Sequence, residues 1–407
     1  MKRILLLLAA LCALLMTACA QAEPARDITD QATITVSRMK SKLFQLFDGD
    51  RTTKWEDQYP KAYLEFASPE PCYGLYVESS HSMEGVVVQA VVNNTWTTVV
   101  DPAFHWNNQY YALPGLTNFR LYSPDRGMHL LEVRMYSEGE VDPTLPRFES
   151  TAEKADMLVI ACHPDDDILW FGGLLPTYGG ELQMNVQVVY MTARYSYRKC
   201  EALDALWHCG LRYGPVFAPY VDDPRLKVNE TLEKWGGRQN VIHYIARLIR
   251  TYQPEVVVTQ DEKGEYGHAQ HRAMTACVTA AVQEAADAGN KALSKLPAWE
   301  VKKYYIHLYG DDPLAMDWER PLSRFGGKTA LEIAREAFLK HASQQNGRYS
   351  VEVSGPLDSR LFGLKYSAVG EDENKNGFFE HIPGLYEKEL SLNQQPVPQQ
   401  EAQDDAA

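Results

Sequence analysis

The segment His163-Pro-Asp-Asp-Asp167 places one imidazole and three carboxylates directly after the apolar run of residues 156–162. Adjacent carboxylates at the end of a strand repel one another and lose solvation unless a cation lies among them. Histidine and aspartate are suitable zinc ligands, and a third ligand would complete a catalytic site that keeps one position open for water. The alternative is a solvated turn in which Asp165 caps a helix that starts near Ile168.

A second group of candidate ligands lies far downstream, in Gly264-Glu-Tyr-Gly-His-Ala-Gln-His271. His268 and His271 are three positions apart at a predicted helix start, so both rings can face one pocket. An H-x-x-H pair on its own is usually a surface coincidence. Because this pair and the acidic segment each follow a predicted strand, together they favour a shared metal site.

Apolar strands alternate with helices after about residue 150, and these elements must position both groups. The strands are predicted at 156–162, 184–191, 216–219, 255–259 and 302–309, and the helices at 168–178, 196–209, 232–252, 268–286 and 328–345. This alternation predicts an α/β fold with a Rossmann-like, mostly parallel sheet and helices on both faces. Ligand sites in such sheets form at the carboxyl ends of the strands, where both motifs fall.

The pattern A-x-H-P-D-D-x, followed by G-E-Y-G-H-x-x-H, resembles the PIG-L/LmbE-like family of zinc N-deacetylases. The resemblance covers about residues 153–387, within a predicted domain of residues 150–390. Arg198 with Glu201 and the segment His341-Ala-Ser-Gln344 add support.

This resemblance implies that His163, Asp166 and His271 bind zinc or another divalent metal. Asp165 would be the general base, which takes a proton from water and passes it to the leaving amine. His268, if protonated, would stabilise the oxyanion together with the metal.

The implied reaction removes an acetyl group from an N-acetylated amino sugar or glycan, which Arg198 would contact. Two other interpretations stay open. Asp167 stands where the family usually has glutamate, so the chain could be a surface glycan-binding lipoprotein with a non-catalytic metal site. It could also be a zinc amidase that acts on a different amide.

The N-terminal region, residues 32–138, has short β-type runs separated by Gly, Pro and Asn, which predicts an all-β antiparallel sandwich. Its segment Leu46-Phe-Asp-Gly-Asp-Arg-Thr-Thr-Lys-Trp55 resembles the signature of discoidin-like, coagulation-factor-type carbohydrate-binding sandwiches. With that resemblance, four residues become candidate calcium ligands: Asp48, Asp50, Thr53 and Glu132. The alternative is an ordinary Asp-Gly turn with Trp55 in the core.

Residues 1–19 are predicted to be a lipoprotein signal peptide, because Met16-Thr-Ala-Cys19 resembles a lipobox after a short apolar stretch. Cys19 would carry the lipid that anchors the exported chain to the membrane at the bacterial cell envelope or surface. An ordinary secretory signal is the alternative. Residues 20–31 would form a tether and residues 392–407 a disordered tail.

Net charge bears on the possible partners of the chain, and cysteine content bears on its disulfide bonds. The net charge of −14, with no basic run, argues against a nucleic-acid partner. Outside the predicted signal peptide an odd number of cysteines remains, namely Cys72, Cys162, Cys200, Cys209 and Cys277. At least one thiol is therefore free if all disulfide bonds are intramolecular. Cys200 and Cys209 could form a disulfide, whereas burial as small apolar residues is expected for most of them.

Overall fold

The computed structural model describes residues 23–148, 150–193 and 195–394. The predicted signal peptide with Cys19, the first part of the tether, and residues 395–407 of the predicted tail lie outside the described residues. No helix within the described ranges is long and apolar enough to cross a bilayer.

The strands of the described residues form two sheets. The N-terminal sheet contains β1 (Thr33–Val36), β2 (Trp55–Asp57), β3 (Ala62–Ser79), β4 (Val87–Val92), β5 (Thr95–Val100), β6 (Asn108–Ser123) and β7 (Met128–Tyr136). The second sheet contains β8 (Met157–Ala161), β9 (Val186–Thr192), β10 (Val216–Tyr220), β11 (Val256–Thr259), β12 (Lys303–His307), β13 (Leu314–Ala315) and β14 (Leu361–Ser367).

Along the chain, all but one of the α-helices of the described residues lie between two strands of the second sheet, and the remaining helix follows the last strand. They are α1 (Asp166–Leu169), α2 (Ser196–His208), α3 (Val228–Lys234), α4 (Arg238–Tyr252), α5 (Ala269–Ala286), α6 (Ala330–Lys340) and, near the C-terminal end, α7 (Leu385–Leu390).

The N-terminal sheet is antiparallel, with the order β2-β7-β3-β6-β4-β5 and β1 paired to β3. Hydrogen bonds join these strands into one continuous sheet, because β3 and β6 are long and pair in two stretches on either side of an irregularity between Ala67 and Gly74. The region is therefore β-rich and antiparallel, as predicted, and its identity as a discoidin-like sandwich stays a prediction. Trp55 is fully buried in its core, which agrees with the alternative interpretation of that residue.

The second sheet has the order β10-β9-β8-β11-β12-β14-β13. The first five strands are parallel, and β14 and β13 form an antiparallel edge that the sequence did not reveal. Numbered along the chain, the parallel strands have the order 3-2-1-4-5, and the order reverses between β8 and β11. This confirms the predicted α/β class, and ligands bind beside such a reversal in doubly wound sheets.

Successive residues of β8 point into two different cores. Met157 and Val159 belong to the core that includes residues of α2 and α6, whereas Leu158 and Ile160 belong to the core that includes residues of α4 and α5. This alternation is what a strand covered on both faces requires. It fixes β8 rigidly under the loop that carries the candidate ligands.

Glycines break two helices that the sequence predicts as continuous. The predicted helix 232–252 is divided into α3 and α4 at Gly236 and Gly237, whose φ angles of +88° and +98° are outside the helical region. The predicted helix 168–178 shrinks to α1 followed by a π-helical segment at Pro176–Glu181. There Gly172 has a φ of +52°, and a side chain on Gly173 would collide with Ala330.

The predicted helix 328–345 also ends early, at Lys340, and a short 3₁₀ segment at Ala342–Gln344 follows it. The suggested disulfide between Cys200 and Cys209 is wrong, since both are buried free thiols. Cys72, Cys162 and Cys277 are likewise buried and free, as expected for cysteines that serve as small apolar residues.

The two domains meet across helix α2. Arg51 of the N-terminal domain bonds both carboxylate oxygens of Glu78 at 2.6 Å and also pairs with Asp204 of α2 at 2.7 Å. Asn108 donates to the same Asp204 at 3.0 Å. The N-terminal domain therefore bonds to α2 on the face of that helix that is opposite Arg198.

Candidate metal centre and substrate pocket

Both groups of candidate ligands lie at the carboxyl edge of the parallel sheet, on the two sides of the reversal in strand order. The loop of residues 162–165 leaves β8, and α5 begins at Ala269 after the loop that leaves β11. The two strands are adjacent and parallel, with Thr259 opposite Ile160. Residues that are far apart in the sequence are thereby brought face to face.

Three donor atoms converge on one point. Nδ1 of His163 lies 2.9 Å from Oδ2 of Asp166 and 3.1 Å from Nε2 of His271. Nε2 of His271 lies 3.2 Å from the same carboxylate oxygen. Ligand atoms of a tetrahedral zinc ion are about 3.4 Å apart, given bond lengths near 2.1 Å. The triangle therefore has nearly the size that such an ion requires.

The outer nitrogen of each imidazole is held by its own partner. Nε2 of His163 lies 3.0 Å from Oε1 of Gln270, and Nδ1 of His271 lies 2.6 Å from Oε2 of Glu265. If each outer nitrogen donates its hydrogen to these oxygens, the inner nitrogens present lone pairs to the triangle. Two lone pairs and a carboxylate oxygen at this separation need a cation between them, so the residues fit a divalent metal.

The titration behaviour of the ligands agrees with that requirement. Burial alone would raise the pKa of Asp166, but the imidazoles of His271 and His163 hold it well below its ordinary value. Burial alone would lower the pKa of His271, but the carboxylates of Asp166 and Glu265 raise it to about 10. A proton on His271 thus supplies the positive charge when no metal ion does.

Asp165 lies beside the donor triangle and outside it. Its Oδ1 accepts a hydrogen bond of 2.8 Å from Arg198, which also donates to the carbonyl oxygen of Pro164. Its φ of +130° is in a region that residues other than glycine rarely adopt. Burial raises the pKa of Asp165 to about 7 although Arg198 opposes this. The side chain is therefore placed and tuned to exchange a proton near neutral pH.

His268 is the N-terminal flanking residue of α5 and lies against both imidazole ligands. Its ring centre is 4.9 Å from that of His163 and 4.5 Å from that of His271. Burial and the charges of these two neighbours lower its pKa to about 3. This lowered pKa favours a neutral imidazole that can donate one N–H, whereas the role expected for His268 from the sequence was conditional on its protonation.

Two other residues next to the ligands, Asp167 of α1 and Cys162 directly after β8, do not take part in the triangle. Asp167 is fully buried below it, accepts a hydrogen bond of 2.9 Å from the Tyr190 hydroxyl, and has a pKa raised to about 7 by burial. Cys162 Sγ lies 3.8 Å from Nε2 of His163, which is the outer nitrogen of that ring. The thiol is close to both histidines, because ligand atoms of Cys162, His163 and His271 lie within 4.8 Å of one another, but its contact with His163 is to the outer nitrogen and not to the donor atom Nδ1.

A cavity of about 280 Å³ opens in front of these residues. Arg198 lines it, as the sequence predicted for a substrate contact, and so does Asp222. Its aromatic wall, Trp170 with Tyr266 and Tyr349, has the rings of the two tyrosines stacked at 4.9 Å, and Tyr195 and Phe338 also line the cavity.

Sequence reasoning missed several residues of this site. Glu265 and Tyr266 belong to the motif that identified the histidines, so their positions could have been noticed. Gln270 lies between the two histidines, but only the structure shows that it contacts His163. Tyr349 carries no local signal, because its place depends on a loop that follows α6.

The four candidate calcium ligands lie around an exposed turn. Asp48 accepts hydrogen bonds of 2.9 Å from the Asp50 amide and from the Thr53 hydroxyl, and Asp50 accepts from the Thr52 amide and hydroxyl. Glu132 lies nearby, and burial, with Glu78 and Asp48, raises its pKa to about 7. These contacts describe a self-contained Asp-Gly turn, and the calcium ion stays a prediction.

Residues 158–282 match the family model described as PIG-L, GlcNAc-PI de-N-acetylase. We call this matched part of the chain the PIG-L domain. It contains β8 and β11 together with the donor triangle, Asp165 and His268.

Curated relatives of the PIG-L domain are named 1D-myo-inositol 2-acetamido-2-deoxy-alpha-D-glucopyranoside deacetylase. The protein from Rhodococcus erythropolis is 27% identical over 191 residues, which are 38% of this chain and 61% of the relative. The one from Corynebacterium urealyticum is 25% identical over 238 residues, 46% of this chain and 70% of the relative. The match thus spans about three fifths of the length of the first relative.

Among solved structures, N,N'-diacetylchitobiose deacetylase from Pyrococcus horikoshii is 20% identical and covers 47% of this chain and 71% of its own, with a TM-score of 0.37. A structural similarity with a TM-score this low supports no conclusion about the function of the chain.

Proposed function

We propose that the PIG-L domain is a metal-dependent hydrolase that removes the acetyl group from an N-acetylated amino sugar or glycan. The observation that carries this proposal is the donor triangle of His163, Asp166 and His271, with Asp165 beside it. The names of the curated relatives, which are deacetylases of an acetamido sugar, support the same reaction.

His163, Asp166 and His271 would hold the metal. When bound, a divalent ion such as zinc lowers the pKa of a water molecule and polarises an amide carbonyl. Arg198 fixes Oδ1 of Asp165, which leaves Oδ2 for proton transfer.

Asp165 accepts a proton as water adds to the acetyl carbonyl carbon. It then delivers that proton to the sugar nitrogen as the C–N bond breaks, so acetate and a free amine leave. Neutral His268 donates an N–H to the carbonyl oxygen as negative charge develops there.

The experiment is acetate release from N-acetylglucosamine and its short oligomers by the purified protein. Activity should disappear after treatment with a chelator and return when zinc is added. Unchanged activity after complete metal removal, or no acetate from any acetylated sugar, would overturn the proposal.

The alternative of a glycan-binding protein with an inactive metal site rested on Asp167. That side chain hydrogen-bonds Tyr190 below the loop, and the described residues show no bond from it to a metal-ligand side chain. A zinc amidase with another substrate is distinguished by the same assay when it is extended to amides without a sugar.

We further propose that the chain is an exported lipoprotein of the bacterial cell envelope or surface, with its lipid on Cys19. The support is the lipobox-like sequence alone. Radiolabelled fatty acid should be incorporated into the wild-type chain and not into the Cys19→Ser variant. A calcium ion at Asp48, Asp50, Thr53 and Glu132 is a separate proposal, which rests on the resemblance of that turn.

A further inference from the structure

The mouth of the substrate cavity carries a positive charge that the proposed chemistry does not use. Arg348 lines the cavity and is exposed. Its backbone amide donates to Asn346, but its guanidinium has no hydrogen bond, ion pair or ring contact among the described residues. It belongs to a chain that has an excess of acidic residues and a net charge of −14.

The other charged groups of the cavity already have partners. Asp165 pairs with Arg198 at 2.8 Å, and the same guanidinium lies 3.9 Å from Asp222. Asp222 also lies 3.6 Å from the outer nitrogen of His163. Among the described residues that line the cavity, Arg348 is therefore the cation that has no acidic partner.

The loop that presents Arg348 is fixed on both sides. Glu201 of α2 accepts hydrogen bonds from the amide and the hydroxyl of Ser343 at 2.8 and 2.7 Å. On the other side, the Tyr349 ring stacks on Tyr266 at 4.9 Å and packs edge-on against Trp170 at 5.5 Å. The backbone before and after Arg348 is thus held beside the aromatic wall, where the apolar face of a sugar ring can stack.

We propose that the substrate of this site is an N-acetylated amino sugar that also carries an anionic group, and that Arg348 binds this anion. This inference rests on the proposed deacetylase function and names its substrate class. A guanidinium matches a carboxylate or a phosphate through two parallel N–H donors, so either anion fits.

The experiment compares kcat/KM for acetate release from one neutral and three anionic sugars. N-acetylglucosamine is the neutral substrate, N-acetylmuramic acid carries a carboxylate, and N-acetylglucosamine 1-phosphate and 6-phosphate carry phosphates at two positions. We expect at least one anionic sugar to exceed the neutral one by about fivefold, the upper range for an exposed ion pair. The sugar that gains identifies the anion and its position.

Variants assign the preference to a residue. In Arg348→Gln the ratio of anionic to neutral kcat/KM should fall to near one, and Arg348→Lys should keep part of it. The matched control is Arg247→Gln, which removes the same charge from an exposed position on α4 and should leave the ratio unchanged.

Equal turnover of neutral and anionic sugars by the wild-type protein, or an undiminished preference in Arg348→Gln, would overturn the inference and leave the deacetylase proposal intact. Failure of the deacetylase proposal has a different signature, because then no sugar of either kind releases acetate.

Discussion

The loop after β8 and the turn at residues 48–53 both carry closely spaced aspartates, yet their carboxylates have different surroundings. In the turn, Asp48 and Asp50 are exposed and accept hydrogen bonds from the turn itself. In the loop, Asp166 is buried and faces two imidazoles, one of which arrives from a helix more than a hundred positions away.

The difference shows what distinguishes a metal centre. Donor atoms from distant parts of the chain meet at one point, and this matters more than a group of acidic residues close together in the sequence. An isolated acidic turn satisfies its carboxylates with nearby amides and hydroxyls. At the sheet edge, the outer nitrogens of His163 and His271 each contact a further oxygen, from Gln270 and Glu265. The lone pairs of the inner nitrogens therefore point at the centre of the triangle. The following predictions test this contrast.

Removal of a ligand should have the largest effect. In His271→Ala the triangle loses one donor, so bound zinc should disappear and kcat/KM for acetate release should fall about 10³-fold. Metal content and acetate release are measured together. His243→Ala removes a partly buried histidine of α4 that pairs with Glu284 of α5; it is the control and should keep both values. A metal-loaded, active His271→Ala protein would contradict the assignment.

Asp165→Asn should separate chemistry from metal binding. The amide cannot take a proton from water, so kcat should fall by about 10²-fold to 10³-fold. Bound zinc should stay at the wild-type level, because Asp165 is outside the triangle. Full activity in this variant would refute the role of Asp165 as the base.

Glu265→Gln should weaken the centre without removing a ligand. The neutral side chain holds the outer nitrogen of His271 less firmly, so zinc affinity should fall about 10-fold to 100-fold. Competition with a chelator measures this. Glu284→Gln changes another carboxylate that pairs with a histidine, away from the site, and its zinc affinity should not change.

Asp167→Asn should alter the pH dependence of stability in the metal-free protein. Burial raises the pKa of Asp167 from 3.8 to about 7, so the folded state binds more protons than the unfolded state between these values. Wild-type stability should therefore fall as pH rises from about 4 to 7, and the variant should lack this component. Between pH 4 and 8 the Tm of the variant should rise by several degrees relative to that of the wild type, because a pKa difference of one corresponds to about 1.4 kcal/mol and about 1 kcal/mol moves Tm by about 2–4 °C. Parallel pH curves for both proteins would show that Asp167 is not so perturbed.

The smallest effect is expected at the N-terminal turn. Substitutions at exposed positions usually change stability by about 0.5 kcal/mol or less, so Asp48→Asn should leave Tm and acetate release nearly unchanged. The assay is thermal unfolding with and without calcium. If calcium raised the Tm of the wild type but not of Asp48→Asn, both regions would be metal sites and the contrast would fail.

The sequence predicted the parallel strands and the two groups of candidate ligands because their signals are local, and the family resemblance then implied which three residues bind the metal. An apolar run followed by His163-Pro-Asp-Asp marks a strand end, and the spacing of His268 and His271 marks one face of a helix. The break at Gly236 and Gly237 was missed because apolar periodicity continues across it, although two adjacent glycines are themselves a local signal.

Other features depend on contacts that no local pattern contains. Gln270 and Glu265 become partners of the ligands only when β8 and β11 lie side by side. Tyr349 reaches the pocket because Glu201 holds the preceding loop, and β14 pairs with β12 across a long stretch of chain. The lowered pKa of His268 likewise follows from burial and from two imidazoles beside it.

X-ray absorption at the zinc edge of the metal-loaded protein tests the central claim most directly. The donor triangle predicts that only nitrogen and oxygen neighbours surround the metal, including two imidazoles, since the Cys162 thiol contacts the outer nitrogen of His163. A sulfur neighbour at about 2.3 Å would place Cys162 on the metal and contradict the donor triangle.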